Sequence, residues 1–148
     1  MENTPVFVVD ASVAVKWYVK EEMRDRALRL IEDFLSELVD LQAPSLLLYE
    51  LGNALRHHPG STEAECADAV KQARNLGIAI HDLDDSLVEM ASTLAFREKI
   101  TFYDATYLAL ARNLNAVFLT ADKEMLARLS EESKATTKLL EKYEPQHH

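Results

Sequence analysis

The sequence predicts an α/β fold built on a parallel sheet. Two apolar runs carry that expectation, Val6-Phe7-Val8-Val9 and Ala116-Val117-Phe118-Leu119-Thr120. Runs without polar alternation suit strands covered on both faces, as in a parallel sheet between helices. The third observation is that the chain around them is helical in its periodicity, and strands alternating with helices are the pattern of βαβ units with right-handed crossovers. Both runs lead into an acid, Asp10 after the first and Asp122 after the second. Open α/β sheets gather ligands at the carboxyl ends of their strands. If the two strands are neighbours, Asp10 and Asp122 face one crevice.

The elements follow in order. After the strand, Asp10-Ala11-Ser12 hands over to a short helix through Trp17. Asp10 or Ser12 serves as a helix cap on the simplest reading, since both residue types satisfy free N–H groups there. Lys20-Glu21-Glu22 breaks the pattern. A long amphipathic helix is expected over 24–41, with Ala27, Leu30, Ile31, Phe34, Leu35 and Leu38 on one face. Gln42-Ala43 reads as a short strand, and Pro44-Ser45 opens the next helix, where proline is tolerated in the first turn. That helix carries Glu50 as the only acid in an apolar and neutral stretch. His57-His58-Pro59-Gly60 is a turn. Thr62 and Glu65 have capping-box spacing for a helix to Leu76, and Gly77 suits its end. Ile78-Ala79-Ile80 reads as a strand. Asp84-Asp85-Ser86 starts a helix whose core face is Leu87, Met90, Ala91, Leu94 and Ala95, with the acids favoured in a first turn. Ile100-Thr101-Phe102-Tyr103 leads into a helix from Asp104, which Asn115 closes. A short helix and a final one, rich in Lys and Glu, complete the chain.

Length and composition bound the function. A chain of 148 residues is expected to form one domain over 1–148, with a disordered tail at 143–148. His147-His148 read as the remains of a purification tag. Cys66 stands alone, so no internal disulfide forms, and its apolar helical position reads as a buried structural thiol. No apolar segment is long enough to span a membrane, and the basic start of a signal peptide is missing. The expected location is therefore cytoplasmic. The net charge of −9 argues against attraction of nucleic acid by the overall field. Bound metal ions reverse that sign locally, and a basic protein partner fits the charge directly.

Asp10, Glu50, Asp104 and Asp122 share a context: each sits beside an apolar stretch, where an unpartnered charge is costly. No Lys or Arg is spaced to pair with all of them. Any one of these acids is accounted for by a cap or a solvated charge. As a set, clustered carboxylates repel unless a hard cation joins them, and Mg²⁺ or Mn²⁺ favours oxygen ligands. A pair of such ions activates water and stabilises the entering and leaving oxygens of phosphodiester cleavage.

The motifs around these acids resemble a known family. Val8-Val9-Asp10-Ala11-Ser12-Val13-Ala14-Val15-Lys16-Trp17 with Glu21-Glu22 is similar to the opening of PIN-domain proteins, in particular toxin ribonucleases of the VapC type. Pro44-Ser45-Leu46 through Glu50-Leu51-Gly52-Asn53-Ala54-Leu55 resembles their second motif. Thr101-Phe102-Tyr103-Asp104 through Ala111 resembles the third, and Leu119-Thr120-Ala121-Asp122-Lys123 the fourth. The motifs stand in the family's order and span the chain. The resemblance implies a three-layer α/β/α sandwich around a parallel sheet. It implies an endoribonuclease dependent on Mg²⁺ or Mn²⁺ that cleaves RNA with a metal-activated water. Asp10, Glu50, Asp104 and Asp122 would form its catalytic and metal-binding site, with Ser12, Asn53 and Thr120 in support. It also implies a homodimer and a small VapB-like antitoxin whose arm blocks the site.

Other classes fit less well. Haloacid-dehalogenase-like phosphotransfer enzymes need an acid two residues after the first, where this chain has Ser12. A receiver domain needs a further acid beside the first strand and a central-strand Asp, and neither is evident. A catalytically silent PIN-fold interaction module is the remaining alternative, and it should have lost at least one of the four acids. The apolar face of the 24–41 helix, with Trp17 and Tyr18, is the expected dimer surface.

Overall fold

The structure is a computed structural model that describes residues 4–146, so His147-His148 lie outside the described residues. Five strands form the sheet: β1 (Val6–Val9), β2 (Asp40–Pro44), β3 (Ala79–His81), β4 (Val117–Thr120) and β5 (Thr137–Leu139). Their spatial order is β3-β2-β1-β4-β5, and every pairing is parallel. The first strand is thus central, as its unbroken apolar run predicts. Phe7 lies between Leu41 and Val117, and Val8 between Gln42 and Phe118. Val8, Val9, Leu41, Phe118 and Leu119 are fully buried, each worth roughly 1.5–3 kcal/mol against leaving it in water.

Helices flank the sheet to give the α/β sandwich: α1 (Ala11–Ala14), α2 (Arg24–Leu35), α3 (Leu46–His57), α4 (Glu63–Arg74), α5 (Asp85–Glu98), α6 (Phe102–Leu114), α7 (Lys123–Ala127) and α8 (Glu131–Lys134). Val15–Trp17 continues α1 as a tighter 3₁₀ turn. Helix α6 packs against β1, β2 and β4, with α5 against α6. An unbroken buried run, Ala105–Ala111, explains that position, because its alanines let the backbone approach the sheet closely. Tyr107 stacks on Phe118 with ring centroids 5.9 Å apart. The caps fall where the sequence puts them. Thr62 and Glu65 form the reciprocal box on α4, Asp84 accepts the Leu87 N–H at 2.8 Å, and Asn115 closes α6 at φ +54°.

Four expectations are corrected. The helix expected over 24–41 stops at Leu35, because Glu37 turns the backbone to φ +62° and the Leu38 N–H donates to the Asp33 carbonyl. Apolar spacing carried the expected helix into Leu38 and Leu41, yet Leu41 belongs to β2 and Leu35 is 61% exposed. Pro44 ends β2, as expected, but lies before the cap of α3 at Ser45 and so outside that helix's first turn. The Lys- and Glu-rich end contains β5, whose Thr137, Lys138 and Leu139 pair with Phe118, Leu119 and Thr120. Residues 143–146 are not a loose tail. Tyr143 is buried edge-on against Phe7 and its hydroxyl donates to Asp33, which also accepts the Gln146 N–H at 2.9 Å.

Candidate active site

The register that pairs Val9 with Leu119 sets Asp10 beside Thr120. Thr120 Oγ1 donates to Asp10 Oδ2 at 2.6 Å, and Ser12 Oγ donates to Asp10 Oδ1 at 2.6 Å. The same two hydroxyls accept backbone N–H groups, Ser12 from Ala121 at 2.9 Å and Thr120 from Asp122 at 3.1 Å. Two short hydroxyls therefore tie the loop after β4 to the loop after β1 and hold Asp10 between them. Asp10 also caps α1 through the Val13 N–H, and Asp122 caps α7 through Met125 at 3.0 Å. Capping and a place in one cleft coincide at these two positions.

Glu50 comes from α3, and Asp104 from the first turn of α6, where Thr101 rather than Asp104 is the cap. All four acids line one cleft of about 490 Å³ at the carboxyl edge of the sheet, together with Ser12 and Asn53. Thr120 stands fully buried behind Asp10. Tyr107 was not singled out in the sequence, yet its hydroxyl donates to Glu50 Oε1 at 2.6 Å and its ring lines the cleft. The signal was present, since Tyr107 follows Asp104 by three and so shares its helix face. Tyr49 and Tyr103, each one residue before an acid, line the mouth. A larger depression of about 700 Å³ near Tyr18 and His58 lies away from the four acids.

The electrostatics follow from burial among like charges. Burial raises the Asp10 carboxyl from 3.8 to about 6, against the bonds from Ser12, Thr120 and Val13, and the charge of Asp104 pushes the same way. Burial also raises Glu50, which Tyr107 opposes and Asp104 reinforces. Asp104 is raised by burial and then by Asp122, with the Thr101 bond and the Arg128 charge opposing. Burial and the neighbouring Glu50, Asp10 and Asp104 hold the Tyr107 hydroxyl far above its ordinary range, so it stays a neutral donor. Among the described residues no Lys or Arg lines this cleft.

This donor set fits a hard divalent cation. The carboxylates are oxygen donors, Asp104 raises the pKa of Asp10 and Glu50 and Asp122 raises that of Asp104, and a cation relieves that repulsion. Among the described residues no three His, Cys, Asp or Glu side chains are gathered into a ready cage. Mg²⁺ does not require one, because it keeps several waters and is held by one or two carboxylates plus substrate phosphate.

Fold and site define a parallel α/β domain with an acidic cleft at the carboxyl edge of its central strands. The chain belongs to the PIN domain family, whose model matches residues 7–132. It is 30% identical over 123 residues to Ribonuclease VapC3 of Pyrobaculum aerophilum, a match covering 80% of this chain and 90% of that protein. Two solved structures share the fold. The Mycobacterium tuberculosis VapC20 toxin, described as cleaving the sarcin-ricin loop, aligns with TM-score 0.67 and 19% identity over 84% of this chain and 97% of that one. Rickettsia felis VapBC2, bound to a DNA fragment from its promoter, aligns with TM-score 0.66 and 14% identity over 90% of this chain and 98% of that one. Among the described residues no helix is long and apolar enough to cross a membrane.

Proposed function

We propose that this chain is a divalent-metal-dependent endoribonuclease and the toxin of a VapBC-type pair. The observation that carries the reading is the convergence of Asp10, Glu50, Asp104 and Asp122 on one cleft that no Lys or Arg lines among the described residues. The likeness to Ribonuclease VapC3 supports the activity. Asp10, Glu50, Asp104 and Asp122 would hold Mg²⁺ or Mn²⁺, which when bound supplies an activated water and charge stabilisation at the phosphodiester. The chain's own groups do the positioning. Ser12 and Thr120 fix both oxygens of Asp10, and the Tyr107 hydroxyl fixes Glu50. Asn53, three residues after Glu50 on α3, offers an amide to ribose or phosphate at the cleft wall. A VapB-like antitoxin with a basic arm is the partner that the acidic cleft and the net charge of −9 suit.

The reading includes a homodimer, and part of the surface expected to form it is turned inward. Trp17 is buried, its indole N–H donating to the Ala27 carbonyl at 3.0 Å, and α2 turns Ala27 and Leu30 into the core. Exposed apolar side chains stand on several elements, among them Leu35 on α2, Tyr49 on α3 and Phe96 on α5. The deciding experiment is cleavage of unstructured RNA by parent and Asp10→Asn in EDTA and after Mn²⁺ is restored. Cleavage only by the parent with metal is expected; cleavage that persists in excess EDTA, or in Asp10→Asn, contradicts the reading.

A further inference from the structure

Beside the acidic cleft runs a second, apolar groove of about 210 Å³. Leu46, Tyr49 and Tyr103 line both, so the two are continuous. Tyr49 rises from α3 and Tyr103 from α6, and each is the residue before an acid of the cleft. Both rings are open to solvent, Tyr49 at 78% and Tyr103 at 60%. Leu83 and Phe102 continue the apolar wall. The groove exceeds the cavity of about 150 Å³ that accommodates a benzene ring. It also has a polar edge. His81, at the carboxyl end of β3, holds Nε2 2.6 Å from Gln42 Oε1, and Gln42 Nε2 donates to Asp40 Oδ2 at 2.9 Å. With the amide of Gln42 turned toward Asp40, its oxygen accepts from His81, so Nε2 carries the proton and the ring's orientation is fixed.

A ligand that spans both places carries a phosphate at the acids and a flat ring in the groove. That is the description of a nucleotide in a single strand, because paired bases are stacked inward and cannot enter. We propose that the groove walled by Tyr49 and Tyr103 is a nucleobase subsite, which holds one unpaired base of the RNA next to the cleft. The inference rests on the nuclease reading above and adds which side chains would hold a base beside the cleavage point, Tyr49, Tyr103 and His81. Stacking on tyrosine tolerates any base, since every base has a π-face, and His81 supplies an edge contact.

The test measures binding apart from cleavage. Fluorescence anisotropy follows the full chain carrying Asp104→Asn, in Mg²⁺, with labelled oligoadenylate, an abasic ribose-phosphate oligomer of equal length, and an RNA duplex. Oligoadenylate is expected to bind about tenfold more tightly than the abasic strand, as one stacked base provides. Adding Tyr49→Leu and Tyr103→Leu should erase that ratio, and Tyr49→Phe with Tyr103→Phe should restore it. A ratio that survives loss of both rings, or no binding of oligoadenylate, overturns the subsite. So does light scattering in which the Leu pair changes the mass of the protein and leaves the ratio alone, which assigns the groove to a second copy. Cleavage of RNA by the parent in Mn²⁺ keeps the two readings separate. A parent that discriminates bases and cleaves nothing contradicts the nuclease and leaves the subsite standing. A parent that cleaves RNA, with base discrimination untouched by the Leu pair, contradicts the subsite alone.

Discussion

Two of the buried acid centres, those at Glu98 and Asp10, are built in different ways. Glu98, at the end of α5, accepts the Ser130 N–H at 2.7 Å, the Ser130 hydroxyl at 2.7 Å and the Ser133 hydroxyl at 2.6 Å. Arg112 Nη2 donates to Ser133 Oγ at 3.1 Å, so a cation closes the network. Burial alone would raise the Glu98 carboxyl, but the serine bonds and the Arg112 charge outweigh it and hold the group below its ordinary value. Asp10 also accepts three bonds, yet its carboxyl is raised, because burial outweighs those bonds and the nearby charge of Asp104 adds to it. Accepted hydrogen bonds therefore do not by themselves fix the direction in which a buried carboxyl shifts.

Breaking each centre should expose the difference. Asp104→Asn should lower RNA cleavage by at least about a hundredfold, the scale of losing a group that holds a catalytic metal in place, read as kcat/KM in Mn²⁺. Glu98→Ala should leave cleavage rates at saturating metal unchanged and cost about 3 kcal/mol of stability, because the Ser130 N–H and the Ser130 and Ser133 hydroxyls lose their acceptor, read by urea titration. Reversal of that pattern would exchange the roles of the two centres.

The pH dependence of stability in EDTA should also differ in sign. Asp10 is raised in the fold, so its favourable contribution is complete below 3.8 and is lost as pH rises through about 6. The size is of order 3 kcal/mol. Asp10→Asn should flatten that fall. Glu98 is lowered, so its contribution is present above the ordinary glutamate value and disappears as pH falls through its depressed one. Glu98→Gln should flatten the acid side alone. Urea titrations across this range check both. The smallest effect belongs to Tyr107→Phe, which removes the bond to Glu50 and should weaken Mn²⁺ binding about tenfold with little change in melting, read by calorimetric titration.

The sequence made the acid centre legible and concealed the arginine-linked one. Asp10 and Asp122 end or follow apolar strands and Glu50 is isolated in an apolar helix, so each stands out by the cost of its charge. Glu98 lies in a mixed segment, and its partners Ser130 and Ser133 come from more than thirty residues away. No local period announces such a contact. The central strands were readable because both of their faces are buried, which leaves no alternation to confuse. Strand β5, with only three residues and the partly exposed pattern of Thr137, Lys138 and Leu139, carries no such signature. The end of α2 was misplaced for the opposite reason: Leu38 and Leu41 keep helical spacing while Glu37 turns the chain through a positive φ that spacing does not encode.

The central claim is that the four acids, Asp10 and Asp122 being helix caps as well, form a cation site. Two carboxylates about 6 Å apart repel by up to ~3 kcal/mol at an effective dielectric near 20, before screening or protonation relieves them. Thermal melting of the parent and Asp104→Asn at pH 7, first in EDTA and then with Mn²⁺ at ten times its dissociation constant, reads that repulsion directly. The account predicts that in EDTA Asp104→Asn melts at or above the parent, and that Mn²⁺ stabilises the parent by about 1.4 kcal/mol and the variant by less. An Asp104→Asn protein that melts well below the parent in EDTA, with Mn²⁺ shifting both equally, would contradict it.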